Sequence, residues 1–164
     1  MEPIAEQTGG RGGGGRGPVS LVIPCRAEYV GLCRLVAGAI GNRESLDEET
    51  IADMKLVVTE ACTCFVAHPD EQTSPDADGS VGESPNSLRV DFNVTADSWT
   101  IIISDPERRC HIARLGRCDP KSENAMGLTI IKALVDRMEQ TDSGDEGSVL
   151  RLVKRLSPRT EPAD

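Results

Sequence analysis

Apolar side chains recur at helical spacing between residues 51 and 68, and this stretch is the clearest element that the sequence predicts. The side chains of its inward face are Ile51, Met54, Val58, Ala61, Cys62 and Phe65. Such spacing is typical of a helix that packs one face against a core. Acids at positions 47 to 49 suit a helix N-terminus, so we predict a helix over about residues 48–67. Glu60 lies within the apolar pattern, either as a solvated edge side chain or as a functional carboxylate.

Alternation with a period of two predicts a pair of strands joined by a tight turn. Residues 87–95 alternate apolar and polar positions, whereas residues 99–104 are apolar almost throughout. The second strand is therefore expected at the centre of the sheet, with residues 96–98 as the turn of an antiparallel hairpin. Residues 18–24 are bracketed by prolines and predict an edge strand. Residues 148–156 predict a closing strand.

Two further helices complete the predicted fold. One covers residues 27–42 and ends at Gly41 and Asn42; the other covers residues 126–138, followed by a turn at 142–147. The order β, α, α, β, β, α, β predicts an α+β two-layer sandwich, a mostly antiparallel sheet with three helices on one face. The predicted core contains Phe65, Leu88, Val90, Phe92, Val94, Ile101, Ile103, Ile130, Leu134 and Leu152.

The remaining segments carry no regular pattern. Residues 1–17 are rich in glycine and predict a disordered tail, with a flexible leader favoured over an RNA-binding segment. Residues 68–87 predict a polar loop. Residues 105–124 hold four arginines and a lysine, and are either a solvated loop or a lid that faces an anion. With residues 157–164 as a second disordered tail, one domain over residues 18–156 is expected.

Composition excludes several function classes. The net charge of −9 argues against general nucleic-acid binding, which needs a basic face. No apolar run approaches the roughly 18 residues that a membrane span needs, and no secretory signal is visible. The six cysteines form no C-x-x-C pair. We expect them to be reduced and mostly buried, and their spacing disfavours a zinc site.

Four short motifs, taken in their order along the chain, resemble those of a known protein family. They are Glu60-Ala61-Cys62-Thr63, Ile103-Ser104-Asp105, residues 126–131 (MGLTII) and residues 147–152 (GSVLRL). Over residues 18–156 the chain resembles the RsbW-like anti-sigma regulatory kinases of the histidine-kinase-like (GHKL) ATPase superfamily. Members of that family bind a sigma factor, and they use ATP to phosphorylate a serine on an antagonist protein.

The resemblance implies roles for five residues of this chain. Glu60 matches the family's general base, which acts on the serine hydroxyl of the antagonist. Asp105 matches the acid that binds the adenine amino group. Gly127 matches the glycine beside the phosphates, where a helix N-terminus favours anions. Gly147 and Ser148 match the pair that completes the adenine pocket.

This chain departs from the family where the nucleotide and its metal are held. The family has an asparagine four residues after the glutamate, and its amide oxygen holds magnesium; here Cys64 stands at that position. Magnesium prefers oxygen ligands, so a thiol is a poor substitute. Pro106 and Glu107 follow Asp105 where the family has glycines, and Gly116 stands alone in the segment of the family's lid. We therefore expect ATP or ADP to bind weakly and nearly independently of magnesium.

Three functions remain open. The first is an anti-sigma factor that sequesters a sigma factor in a partner-switching pathway, with an altered ATP site. The second is an active ATP- and magnesium-dependent serine-protein kinase that acts on an anti-anti-sigma antagonist. The third is a thiol or metal sensor. The resemblance also implies a cytoplasmic homodimer, with the sigma factor and the antagonist as its protein partners and no direct contact with nucleic acid or membrane.

Overall fold

One antiparallel sheet and three helices make up the part of the chain that the computed structural model describes, residues 17–66, 87–105, 123–143 and 147–157. The elements are β1 (Val19–Pro24), α1 (Ala27–Arg43), α2 (Glu48–Val66), β2 (Ser87–Val94), β3 (Ser98–Ser104), α3 (Glu123–Leu134), β4 (Arg137–Ser143) and β5 (Gly147–Arg155). The five strands lie in the order β1-β2-β3-β5-β4. The predicted α+β fold is confirmed, as are the central place of β3 and the edge place of β1.

The β2–β3 hairpin has the predicted register. In β2 the side chains of Leu88, Val90, Phe92 and Val94 are buried, and the alternate positions face the other side of the sheet. Phe92 pairs with Ile101 of β3, and both side chains lie in the core. Complete burial of side chains of this size contributes about 1.5–3 kcal/mol each. This hairpin therefore forms the centre of the inward sheet face.

The helical hairpin of α1 and α2 is held tightly at its turn. The backbone N–H of Thr50 donates to Asp47 Oδ1 (2.7 Å), which caps the start of α2. A Cβ atom built on Gly41 would lie 2.5 Å from Ile51 Cγ1 and 3.2 Å from Trp99 Cη2. Only glycine fits at this position, and its absent side chain lets the end of α1 approach both α2 and β3.

The predicted core is correct at most positions and wrong at Ile130. This side chain is only partly buried, whereas its neighbour Ile131 is fully buried. The two residues are adjacent on α3, so a helix that packs on one side buries only one of them. Leu134 packs against the edge of the core.

Strand β4 has no counterpart in the prediction from sequence, and the third helix ends earlier than predicted. The helix begins at Glu123 and ends at Leu134, and Arg137–Ser143 then pairs with Gly147–Arg155 as an antiparallel hairpin. The backbone N–H of Asp136 already donates to the carbonyl of Val153 on β5 (2.9 Å). Apart from Met138, the strand contains no apolar residue, so it gives no period-two signal.

Several predicted segments lie outside the described residues. The undescribed residues 1–16, 67–86, 106–122 and 158–164 take in most of the predicted glycine-rich tail (1–17), polar loop (68–87), basic segment (105–124) and C-terminal tail (157–164). In the described part of the chain, no helix has the length and apolar character needed to cross a membrane.

Candidate functional site

Glu60 and Gly127 lie against each other where α2 packs beside α3. Glu60 is a partly buried side chain near the end of α2, and Gly127 is a buried residue near the start of α3. A Cβ atom built on Gly127 would lie 2.8 Å from Glu60 Oε2 and 3.8 Å from its Cβ and Cδ atoms. The carboxylate therefore rests on the α3 backbone in space that any larger residue at position 127 would occupy.

The Glu60 carboxylate has no hydrogen-bond or ion-pair partner within the described residues. An ionised carboxylate is an acceptor only, and each oxygen has lone pairs to offer. A partly buried carboxylate whose acceptor sites are not engaged by side chains of the described residues suits proton abstraction from a hydroxyl group placed beside it. The local geometry is thus compatible with the general-base role that the resemblance implies for Glu60.

Asp105 and Ser148 meet where the end of β3 lies beside the start of β5. The backbone N–H of Asp105 donates to the carbonyl of Ser148 (3.3 Å). Each residue is 1% exposed, and they are the only polar residues in the buried class within the described ranges. A buried carboxylate is costly unless polar groups compensate it, and both residues make further polar or electrostatic interactions. The fold thus retains a polar pair inside an otherwise apolar core.

Gly147 directly precedes Ser148 in the chain, and its backbone conformation favours glycine. Its φ angle is 78°, in the left-handed region. Gly147 pairs with Ser143 across the β4–β5 hairpin and brings Ser148 into register. The structure therefore joins the predicted site residues into two groups, Glu60 with Gly127 and Asp105 with Gly147 and Ser148. Their roles toward a nucleotide remain predictions.

Cys64 is a core residue one helical turn beyond Glu60. It lies on α2, is 5% exposed and belongs to the main hydrophobic cluster. Residues four apart on a helix share a face, so the thiol points to the same side of α2 as the Glu60 carboxylate. The residues present do not fit magnesium at this position, because a buried thiol offers no hard oxygen ligand.

A pair of thiols that the sequence did not predict lies between α1 and α2. Cys33 and Cys62 are neighbours, and the Cys62 thiol lowers the pKa of Cys33. The Cys33 thiol, together with burial, raises the pKa of Cys62 well above its ordinary value. Both side chains are fully buried, and the four cysteines of the described residues form no disulfide with one another. The residues are 29 positions apart, and no local spacing signals their contact.

The thiols do not assemble a metal centre in the described part of the chain. No three histidine, cysteine, aspartate or glutamate side chains converge there as metal ligands. Cys110 and Cys118 lie outside that part. The four described cysteines pack with the apolar side chains of α1 and α2, which is the usual environment of a structural cysteine.

Comparison with known proteins assigns the chain to a family. Residues 23–154 match the Histidine kinase-like ATPase domain. The chain is 30% identical over 148 residues to the serine-protein kinase RsbW of Halalkalibacterium halodurans, with 84% of this chain and 83% of that protein covered. It is also 30% identical over 148 residues to RsbW of Bacillus licheniformis, with 84% and 86% covered. For RsbW of Bacillus pumilus the identity is 29% over 153 residues. Because these matches span nearly the whole fold, the chain belongs to the histidine kinase-like ATPase family and, within it, to the RsbW-like proteins.

Proposed function

We propose that the protein is an anti-sigma factor that sequesters an RNA polymerase sigma factor in a partner-switching pathway and carries an altered ATP site. Family membership across residues 23–154 supports the regulatory role. The observation that favours sigma-factor sequestration over phosphate transfer is Cys64. It places a buried thiol where the family holds magnesium with an amide oxygen. The sigma factor and an anti-anti-sigma antagonist are the proposed partners, and a cytoplasmic homodimer is the proposed assembly.

The second candidate function is an active serine-protein kinase, and Glu60 is the observation that favours it. Its carboxylate rests on Gly127 without a hydrogen-bond or ion-pair partner among the described residues. A general base needs a free acceptor within reach of the hydroxyl that it activates. Several relatives are named serine-protein kinases. In this candidate, water or another oxygen ligand would have to supply the magnesium ligand that the family's amide oxygen provides.

Sigma capture and phosphate transfer are tested separately on one pair of variants. Glu60→Gln keeps the size of the side chain and removes its charge, and Glu60→Ala removes the carboxyl group. Sigma affinity is measured by biolayer interferometry against purified alternative sigma factors of the source organism. Because Glu60 makes no bond that supports the described fold, both variants are expected to bind sigma within a few-fold of the parent.

Phosphate transfer is measured with radiolabelled ATP and a purified serine-bearing antagonist encoded near the gene. The proposed function predicts slow or absent transfer by the parent. Robust transfer that falls by about 100-fold or more in Glu60→Gln would establish the kinase instead, because general-base catalysis contributes about 10²–10⁴-fold. Failure of the parent to bind any sigma factor would refute the sequestration function.

A further inference from the structure

We propose that Gly127 is a positioning residue for Glu60. Because glycine has no side chain, it leaves open the space in which the Glu60 carboxylate lies. This role differs from the phosphate-side role that the resemblance implies for the same glycine. The contact between the Glu60 carboxylate and Gly127 is observed in the structure, whereas its consequence for catalysis rests on the second candidate function. The two are therefore tested by different measurements.

The distances show which part of Glu60 depends on Gly127. A Cβ at position 127 would lie 2.8 Å from Oε2, closer than real Cβ contacts allow, but 3.8 Å from the Glu60 Cβ and Cδ atoms, an ordinary contact. Oε2 is the far end of a flexible side chain. An alanine methyl group therefore displaces the carboxylate by rotation of the outer glutamate bonds and leaves the α2 and α3 backbones in place.

The other helical glycines provide contrast. A Cβ on Gly31 would meet nothing within 4 Å, and one on Gly38 would lie 3.6 Å from the nearest atom, Cδ of Lys55. A Cβ on Gly41 would collide with Ile51 in the core. Gly127 differs because its absent side chain makes room for an ionisable group. Gly31→Ala is consequently a matched control, a glycine-to-alanine change in a helix with no neighbour to displace.

The contact also couples Glu60 to the start of α3. Since the carboxylate rests on the backbone of that helix, a shift of the first turns of α3 changes the space in which the carboxylate lies. By linkage, a ligand that moves these turns alters the orientation of Glu60, and a change at Glu60 alters the affinity for that ligand. If the protein is a kinase, nucleotide binding at the start of α3 and the orientation of the Glu60 carboxylate are thus connected through Gly127.

The positioning role is tested by NMR on protein labelled with ¹³C at the glutamate carboxyl carbons. The Glu60 signal is assigned by its loss in Glu60→Gln. Gly127→Ala is expected to fold, with an unchanged circular dichroism spectrum, and to shift the Glu60 carboxyl resonance. Gly31→Ala is expected to leave that resonance in place. An unshifted Glu60 resonance in folded Gly127→Ala would overturn the proposal.

A double-mutant cycle provides a second test that needs no activity. Melting temperatures are measured for the parent, Gly127→Ala, Glu60→Ala and the double variant. Gly127→Ala is expected to raise the melting temperature more in the Glu60→Ala background, where no carboxylate must move. Equal changes in both backgrounds would contradict the coupling, even if Gly127→Ala alone proves unstable.

Kinetics extend the test to the kinase candidate. If the parent transfers phosphate, Gly127→Ala is expected to lower kcat by at least about tenfold at saturating ATP, and Gly31→Ala is expected to leave kcat unchanged. An unchanged kcat in Gly127→Ala would overturn the positioning role. A parent that transfers no phosphate would refute the kinase, while the carboxyl resonance and the thermal cycle still decide the positioning role.

Discussion

Lys154 of β5 forms an ion pair with Asp53 of α2 (Nζ–Oδ2, 3.0 Å) and thereby connects the sheet to the helical layer. The same ammonium group donates to the carbonyl of Leu134 at the end of α3 (2.9 Å). One cation thus satisfies a carboxylate and a terminal helix carbonyl, a favourable place for positive charge. Both side chains of the ion pair are largely buried, with 19% and 25% exposure for Lys154 and Asp53.

Lys154→Met is expected to lower the free energy of unfolding by about 1–3 kcal/mol. Methionine fills similar volume but leaves Asp53 and the Leu134 carbonyl without their donor. Urea denaturation followed by circular dichroism measures the change. Lys132→Met, at an exposed position of α3, is the control and is expected to stay within about 0.5 kcal/mol of the parent. Equal effects of the two substitutions would show that the bridge does not stabilise the fold.

Gly41→Ala is expected to destabilise the protein although alanine is the better helix former. The added Cβ would lie 2.5 Å from Ile51 Cγ1, so α1 and α2 must move apart. Overpacking of this kind costs about 1–3 kcal/mol and outweighs the roughly 1 kcal/mol gain in helix propensity. The matched change Gly31→Ala meets no neighbour and is expected to stabilise. The denaturant midpoints of both variants measure these effects. A Gly41→Ala variant more stable than the parent would contradict the close packing of Gly41 against Ile51.

Asp47 is expected to make stability depend on pH in the acid range. The bond from the Thr50 N–H to its carboxylate lowers the Asp47 pKa. A group whose pKa is lower in the folded state stabilises above its unfolded pKa, about 3.9. That contribution is lost as the pH falls through the folded value. Melting temperatures of the parent and Asp47→Ala should therefore differ most near pH 6, and the difference should shrink as the pH falls below the unfolded pKa of about 3.9. A difference in melting temperature that stays constant with pH would contradict the role of the Asp47 carboxylate as the cap of α2.

The cysteines are expected to be reduced and free of stoichiometric zinc. Titration with a thiol reagent in denaturant should find six thiols per chain, and Cys33 and Cys62 should react slowly in the native protein because both are fully buried. Metal analysis of protein purified without chelators should find well under one zinc per chain. A stoichiometric metal, or fast native reaction of the Cys33–Cys62 pair, would favour the sensor alternative.

The sequence predicted the elements with strong periodicity and missed those that tertiary contacts create. The alternation in residues 87–95 predicted β2 and its register because one face of that strand is buried. Residues 137–143 are almost entirely polar, so β4 forms only because β5 presents an edge to pair with. Ile130 was placed in the core because an apolar pattern cannot decide which of two adjacent residues faces inward. These errors concern a sheet edge and a helix rotation, neither of which local sequence determines.

The candidate site shows the same division. The motifs and the resemblance identified Glu60, Gly127, Asp105 and Ser148 one by one. The contact of the Glu60 carboxylate with the backbone at Gly127 depends on the packing of two helices 67 residues apart in sequence at this point. The same is true of the proximity of Cys33 and Cys62. Motifs name residues, whereas distances between them come only from the folded chain.

Calorimetric titration of the purified protein with ATP and with ADP, each with and without magnesium, tests the altered nucleotide site most directly. Because the buried Cys64 thiol offers no hard oxygen ligand, binding is expected to be weak and nearly the same in both conditions. Cys64→Asn supplies the missing amide oxygen and is expected to introduce magnesium dependence. Micromolar ATP affinity of the parent that disappears when a chelator removes magnesium would contradict the altered site.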